Sequence, residues 1–214
     1  IDAGAIDLEA PLSRYMPDLA APLSGITVRQ AMSHTGGVRN YGLCLCFPVW
    51  EHLNRRHYDG AQREALRPFE KSPLLFAPGE GFAYTSLGYN ALGGVIEAAS
   101  RKSFETHVSN AVFAPLGMAR SGLETGAPIQ GLAKFYEVED GAYKLAFAVD
   151  NSSKLPSGGM LSTPSDMVRL GAAMIDSTLF TEATRDSLID PQELKEGRFA
   201  ERSGLCAWLA LQSG

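Results

Sequence analysis

An α+β chain, mostly helix with a single hairpin, is what the sequence predicts, and three observations carry that expectation. Leu92, Val95, Ile96 and Ala99 fall at i, i+3, i+4 and i+7, one face of a helix from about Ser86 to Ser100. "LSTPSDMVRLGAAMI" has Thr163 as N-cap, Pro164 in the first turn and Asp166 placed to complement the helix dipole. "AKFYEVEDGAYKLAF" alternates apolar and polar residues around Asp140-Gly141, a hairpin signal.

The other elements follow in chain order. From Ile26 to Arg67 the reading is helical, opened by Thr27 and Gln30 in capping-box spacing. Residues 50–66, charged with a few apolar anchors, predict one or two helices on a surface. "SPLLFAPGE" is loop, punctuated by Pro73, Pro78 and Gly79. Ser103 caps a further helix with Phe104, Val108 and Val112 inward, and "PLGM" ends it. Met167, Leu170, Met174 and Ile175 form the inward face of the Thr163-capped helix, and Thr181 caps one more short helix. One domain over 1–214 is expected, with a mainly helical part at 26–118, the hairpin at 133–150 and a helical return segment at 156–190. These strands are too few to cover the helices with a full sheet. "AGAIDLEAPL" reads as a helix end turning into a loop, and "GLCAWLALQSG" stops in an apolar, strand-like run. Both features lead us to expect that the chain is cut at both ends.

Composition excludes several classes. The 214 residues are 45% hydrophobic and 20% charged, ordinary for a globular chain. A net charge of −5 with scattered Lys and Arg gives no basic stripe for nucleic acid. No apolar run reaches the roughly 18 residues of a membrane span. Cys44, Cys46 and Cys206 are an odd number, which excludes a dense disulfide framework.

Candidate chemistry narrows quickly. Cys44, Cys46, His52 and His57 can be written as a metal cluster, but the cysteine spacing is too tight for a structural zinc site and HExxH is absent, so no metal is expected. No P-loop occurs, and Gly93-Gly94 lie inside a helix rather than a phosphate-binding turn. Glu137 and Glu139 read as one exposed hairpin face. Neither Gly-x-Ser-x-Gly nor Ser-x-x-Lys is present. Tyr84 remains. A free phenol, with a pKa near 10, is a poor base at neutral pH, yet beside an ammonium it can relay protons between a serine and a leaving group. From the residue alone, a packed core tyrosine is the first reading.

Longer segments change that reading. "GAIDLEAPLSRYMPDL", "ITVRQAMSHTGGVRNYG", "FAPGEGFAYTSLGYNALGGVIEAASRKSFETHVSNAVFAPLGMARSGL" and "PSGGMLSTPSDMVRLGAAMI" resemble, in this order, successive blocks of the serine beta-lactamase-like superfamily: class C beta-lactamases, penicillin-binding proteins and related esterases. The blocks cover nearly the whole chain, and "SPLLFAPGEGFAYTSLGY" with "VDNSSKLPSGGMLST" is most similar to the LACTB-type branch. The resemblance implies a beta-lactamase/transpeptidase-like α/β (α+β) fold, a helical domain against an antiparallel-sheet domain, here lacking much of the sheet.

By this resemblance Tyr84 stands at the tyrosine of the family's Tyr-x-Asn motif, as a proton shuttle working with the lysine of Ser-x-x-Lys. Ser86 stands where the motif's asparagine contacts substrate. A hydroxyl cannot match an amide's two donors and carbonyl acceptor, so this departure leans toward an ester or other acyl substrate. The resemblance places Ser-x-x-Lys some 20 residues before Ile1 and the Lys/His-Thr/Ser-Gly triplet after Gly214. His34-Thr35-Gly36-Gly37 imitates that triplet but falls in the earlier block, where it reads as a helix end with a glycine C-cap. The implied activity is acyl-enzyme hydrolysis of an ester, beta-lactam or peptide-like substrate without a cofactor, its pocket drawn partly from "NYGLCLCFPVW" and "VDNSSKLPSGG". The family leaves room for a homo-oligomer and for a periplasmic, secreted or mitochondrial location. The alternative is a non-catalytic or truncated relative serving as a binding or structural module.

Overall fold

The computed structural model describes residues 1–40, 57, 60–124, 129–146 and 149–194. Two one-turn helices, α1 (Ala21–Ser24) and α2 (Val28–Met32), follow an N-terminal segment laid antiparallel on residues 26–29. Leu12 N–H donates to Ile26 O at 2.8 Å and Val28 N–H to Ala10 O at 3.1 Å. The expected capping box is present: Thr27 Oγ1 accepts from Gln30 N–H while Gln30 Oε1 accepts from Thr27 N–H.

Residues 33–40 overturn the continuous helical reading of Ile26 to Arg67. Helix α2 stops at Met32, Ser33 is its C-cap, and Thr35 N–H bonds back to Gln30 O at 2.9 Å. That six-to-one bond needs a left-handed residue between them, and His34 supplies it at φ 59°. The left-handed position expected for a glycine of "HTGG", just after the C-cap, is therefore taken by a histidine, a residue type enriched among non-glycines at positive φ. The glycines serve close approach instead. A Cβ on Gly36 would lie 2.8 Å from Ile26 Cγ2, and one on Gly37 (φ 73°) 2.3 Å from the Phe76 carbonyl oxygen.

Helix α3 (Gln62–Ala65), part of the helix or two expected on a surface, buries Gln62, Ala65 and the following Leu66 and leaves Glu64 exposed. Residues 50–56, 58 and 59 of that expectation lie outside the described residues. The predicted loop over 72–80 forms, and α4 (Ser86–Ser100) has the expected bounds. Its burial differs from a one-faced pattern. Leu92 and Val95 are buried, but so are Ser86, Leu87, Gly88, Asn90, Ala91, Gly93 and Gly94, while Ile96 and Ala99 are half-buried. Helix α4 is the central element, enclosed through its first ten residues. The core around it gathers Leu12, Met16, Leu23, Ile26, Leu66 and Phe69. Its glycines make this possible: a Cβ on Gly93 would meet Pro156 Cγ at 2.2 Å, and one on Gly94 would meet Met16 Sδ at 2.6 Å. Close helix packing outweighs the roughly 1 kcal/mol that each helical glycine costs.

Helix α5 (Phe104–Val108) is capped by Ser103, runs on as a π-helical turn through Phe113, and buries Phe104 and Val108 against Leu123. Strand β1 (Gly122–Leu123) pairs antiparallel with β4 (Met160–Leu161). Strands β2 (Tyr136–Glu139) and β3 (Ala142–Leu145) form the expected hairpin, exposed on both faces. Both turn residues have positive φ, Asp140 at 53° and Gly141 at 77°, as a two-residue hairpin turn of this type requires. Short helix α6 (Leu155–Gly158) precedes β4.

Helix α7 (Pro164–Ile175) is capped by Thr163 as predicted. Its assigned inward face is not its buried face: Met167 is 52% and Ile175 78% exposed, Leu170 and Met174 are half-buried, and Ala173 and Asp166 are buried. The buried carboxylate explains the rotation. Asp166 accepts from Arg120 N–H and Ser121 Oγ, each at 2.9 Å, and from Arg169 at 2.8 Å. Burial pushes this carboxyl up, but those hydrogen bonds and the Arg169 charge outweigh it and hold it below the ordinary carboxylate range. Helix α8 (Glu182–Ile189), capped by Thr181, completes the described chain. Among the described residues no helix is long and apolar enough to cross a membrane.

Candidate active site around Tyr84

Tyr84 sits immediately before helix α4, and its side chain is not core. The residue is 47% exposed, which corrects the packed-tyrosine reading. The next residue, Thr85, is the helix N-cap. Its Oγ1 accepts from Gly88 N–H at 3.3 Å and donates to Arg39 O at 3.1 Å. Ser86 opens the helix, is 6% exposed, and donates its N–H to Asn40 Oδ1 at 3.3 Å. Tyr84 and Ser86 therefore flank one cap, with Tyr84 toward solvent and Ser86 turned in.

The loop carrying Tyr84 lies along residues 34–37. Leu75 N–H donates to Gly37 O, Gly79 N–H to Thr35 O, both at 2.8 Å, and Ala83 N–H to His34 O at 3.0 Å. The His34 ring packs 4.7 Å from the Tyr84 ring, 5.2 Å from Tyr89 and 5.9 Å from Phe82. Tyr89 in turn donates its hydroxyl to Met32 O at 3.0 Å, joining α4 to the end of α2. Sequence reasoning passed over His34 as a helix end. The available signal was a histidine, rather than glycine, at the residue following an α-helical C-cap.

His34 is 2% exposed, and burial depresses its imidazole pKa to about 4. Above pH 6.5 both folded and unfolded chains carry it neutral. Between pH 6.5 and about 4 the unfolded chain takes up a proton that the folded chain refuses, so stability falls as pH falls. We expect the stability advantage of the wild type over the non-titrating His34→Asn variant to narrow through this window, by up to about 1.4 kcal/mol per pH unit. Urea denaturation at pH 7, 5.5 and 4.5 measures it, and a gap independent of pH would contradict the assignment.

Of the two segments expected to line a pocket, "NYGLCLCFPVW" lies outside the described residues beyond Asn40. The other, 149–159, is tied to α4: the buried Asn90 donates Nδ2 to Ser153 O at 3.3 Å, and Asn151 bonds Glu124. Cys44, Cys46 and His52 lie outside the described residues. His57 pairs with Asp150 at 2.9 Å. Among the described residues no group of three metal-ligating side chains gathers. An apolar cavity of about 310 Å³ lies along α4 beside Met32, Tyr89 and Phe104, and neither Tyr84 nor Ser86 lines it.

The helices and short antiparallel strands superpose on solved structures of the beta-lactamase/penicillin-binding-protein fold. A penicillin-binding protein from Bacillus halodurans superposes with a TM-score of 0.74 at 27% identity, over 95% of this chain and 62% of that one. The Beta-lactamase family description matches residues 1–204, and the chain belongs to that family. Penicillin-binding protein 4* of Bacillus subtilis is 24% identical over 213 residues, 92% of this chain and 45% of its own length. Mouse mitochondrial serine beta-lactamase-like protein LACTB is 36% identical over 115 residues, 52% of this chain and 20% of its own length. The likeness to LACTB thus reaches half of the chain. This chain spans less than half the length of either relative.

Proposed function

We propose that this chain is the tyrosine-bearing helical part of a serine hydrolase that works through an acyl-enzyme on an ester, beta-lactam or peptide-like acyl substrate. The observation that carries the reading is Tyr84: a half-exposed phenol on a backbone held at both neighbouring residues, at the mouth of the central helix. A side chain that is open to solvent while its backbone is fixed suits proton transfer better than packing. The nucleophile and its lysine come from the Ser-x-x-Lys segment that the family resemblance places outside this chain. As the serine oxygen bonds the acyl carbon, its proton passes through the lysine and Tyr84 to the leaving oxygen, whose bond to that carbon breaks; water then releases the acid. Ser86, nearly buried and without an amide, supports preference for an ester over a beta-lactam.

The test is pre-steady-state hydrolysis of a chromogenic ester by the full-length protein. We expect a burst of product equivalent to the enzyme, a mass increase equal to one acyl group on the Ser-x-x-Lys serine, and faster turnover of the ester than of a chromogenic cephalosporin. Neither burst nor adduct, in a protein whose full sequence also lacks Ser-x-x-Lys, would sink the enzyme reading in favour of a binding or structural module.

A further inference from the structure

The N–H groups of both residues adjacent to Tyr84 are tied to one residue. His34 O accepts from Ala83 N–H at 3.0 Å, and His34 Nδ1 accepts from Thr85 N–H at 3.2 Å. The same imidazole lies against the Tyr84 ring at 4.7 Å and 49°. Thr85 is buried and caps α4, so its N–H has no place in the helical ladder. Without Nδ1 that donor would be buried and unpaired. His34 is itself immobilised: it occupies the left-handed position after α2 and packs between Phe82 and Tyr89. An accepting Nδ1 requires that Nε2 carry the ring proton.

We propose that His34 is a positioning residue for Tyr84, its carbonyl holding Ala83 and its Nδ1 holding Thr85, so that the backbone on both sides of the phenol is fixed. The inference rests on the reading of Tyr84 as proton shuttle. The competing account is a core histidine whose hydrogen bond is incidental to Tyr84, and coupling between the two residues separates them.

In the full-length protein, His34→Gly keeps the left-handed backbone and the carbonyl but removes ring and acceptor. His34→Asn tolerates the same backbone and returns an acceptor oxygen. We expect His34→Gly to lower kcat on a chromogenic ester by about 10- to 100-fold with little change in KM, the scale of a small misplacement of a catalytic group. His34→Asn should recover most of it, and His34→Gly should add little in a Tyr84→Phe background. Wild-type kcat in folded His34→Gly, or losses that multiply with Tyr84→Phe, would overturn the clamp. An inactive Tyr84→Phe beside a fully active His34→Gly removes the clamp alone; an active Tyr84→Phe removes the shuttle reading and the clamp with it. A measurement on the wild type covers the case in which His34→Gly does not fold. Nitrogen NMR should show the neutral Nε2–H tautomer of His34 and a Thr85 amide protected from exchange, and an Nδ1–H tautomer would refute the geometry.

Discussion

Tyr84→Phe in the full-length protein is expected to reduce ester hydrolysis by about 100- to 10,000-fold, the range of a lost general acid–base group. The substitution removes one oxygen and keeps the ring. The Tyr84 ring's contact with His34 and the backbone bonds of Ala83 and Thr85 do not involve the hydroxyl, so these anchors of the loop survive the substitution. Loss should therefore fall on kcat, with the thermal transition within a degree or two of wild type. That separation matters, because a tyrosine packed in the core would show the reverse: lowered stability and activity lost only in proportion to unfolding. Near-normal turnover by a normally folded Tyr84→Phe removes Tyr84 from the mechanism.

Gly37→Ala is expected to be the most damaging small substitution among those considered, lowering stability by about 2–4 kcal/mol. Two costs combine. The residue sits at φ 73°, where any Cβ is strained, and that Cβ would lie 2.3 Å from the Phe76 carbonyl oxygen. Phe76 cannot retreat cheaply, since Leu75 and Gly79 on either side bond to Gly37 and Thr35. Movement of this loop displaces Tyr84 as well, so ester hydrolysis should fall together with stability. Gly25→Ala is the control, with no heavy atom within 4 Å of its Cβ and a φ of −87°. It should stay within about 0.5 kcal/mol of wild type in urea denaturation. Equal stability of the two variants would show that residues 34–37 do not pack on Phe76.

Much of the local structure could be read in advance because its causes lie within a few residues. Thr27 with Gln30, Ser103, Thr163 and Thr181 each cap the helix they precede, through hydrogen bonds reaching three residues along the chain. Asp140-Gly141 similarly dictates its own turn. The inward face of α7 was misread because apolar periodicity cannot weigh a buried aspartate: Asp166 finds its donors at Arg120 and Ser121, some 45 residues earlier, and turns Met167 and Ile175 outward. The end of α2 was misread for a related reason. Glycines invite assignment as caps, while here they admit Ile26 and Phe76, and a histidine takes the left-handed position.

By itself, then, the sequence determined the helix caps, the bounds of the central helix, the hairpin turn and the ordered motif blocks that mark the Beta-lactamase family. All of these are written in contiguous residues. Only the tertiary structure decided that Tyr84 is half-exposed, that Ser86 beside it is nearly buried, and that His34 holds the backbone on both sides of Tyr84. Those facts depend on contacts such as the one from Thr85 to His34, 51 residues apart. Burial and hydrogen-bond partnership at such separations are properties of the packed chain, and no local pattern encodes them.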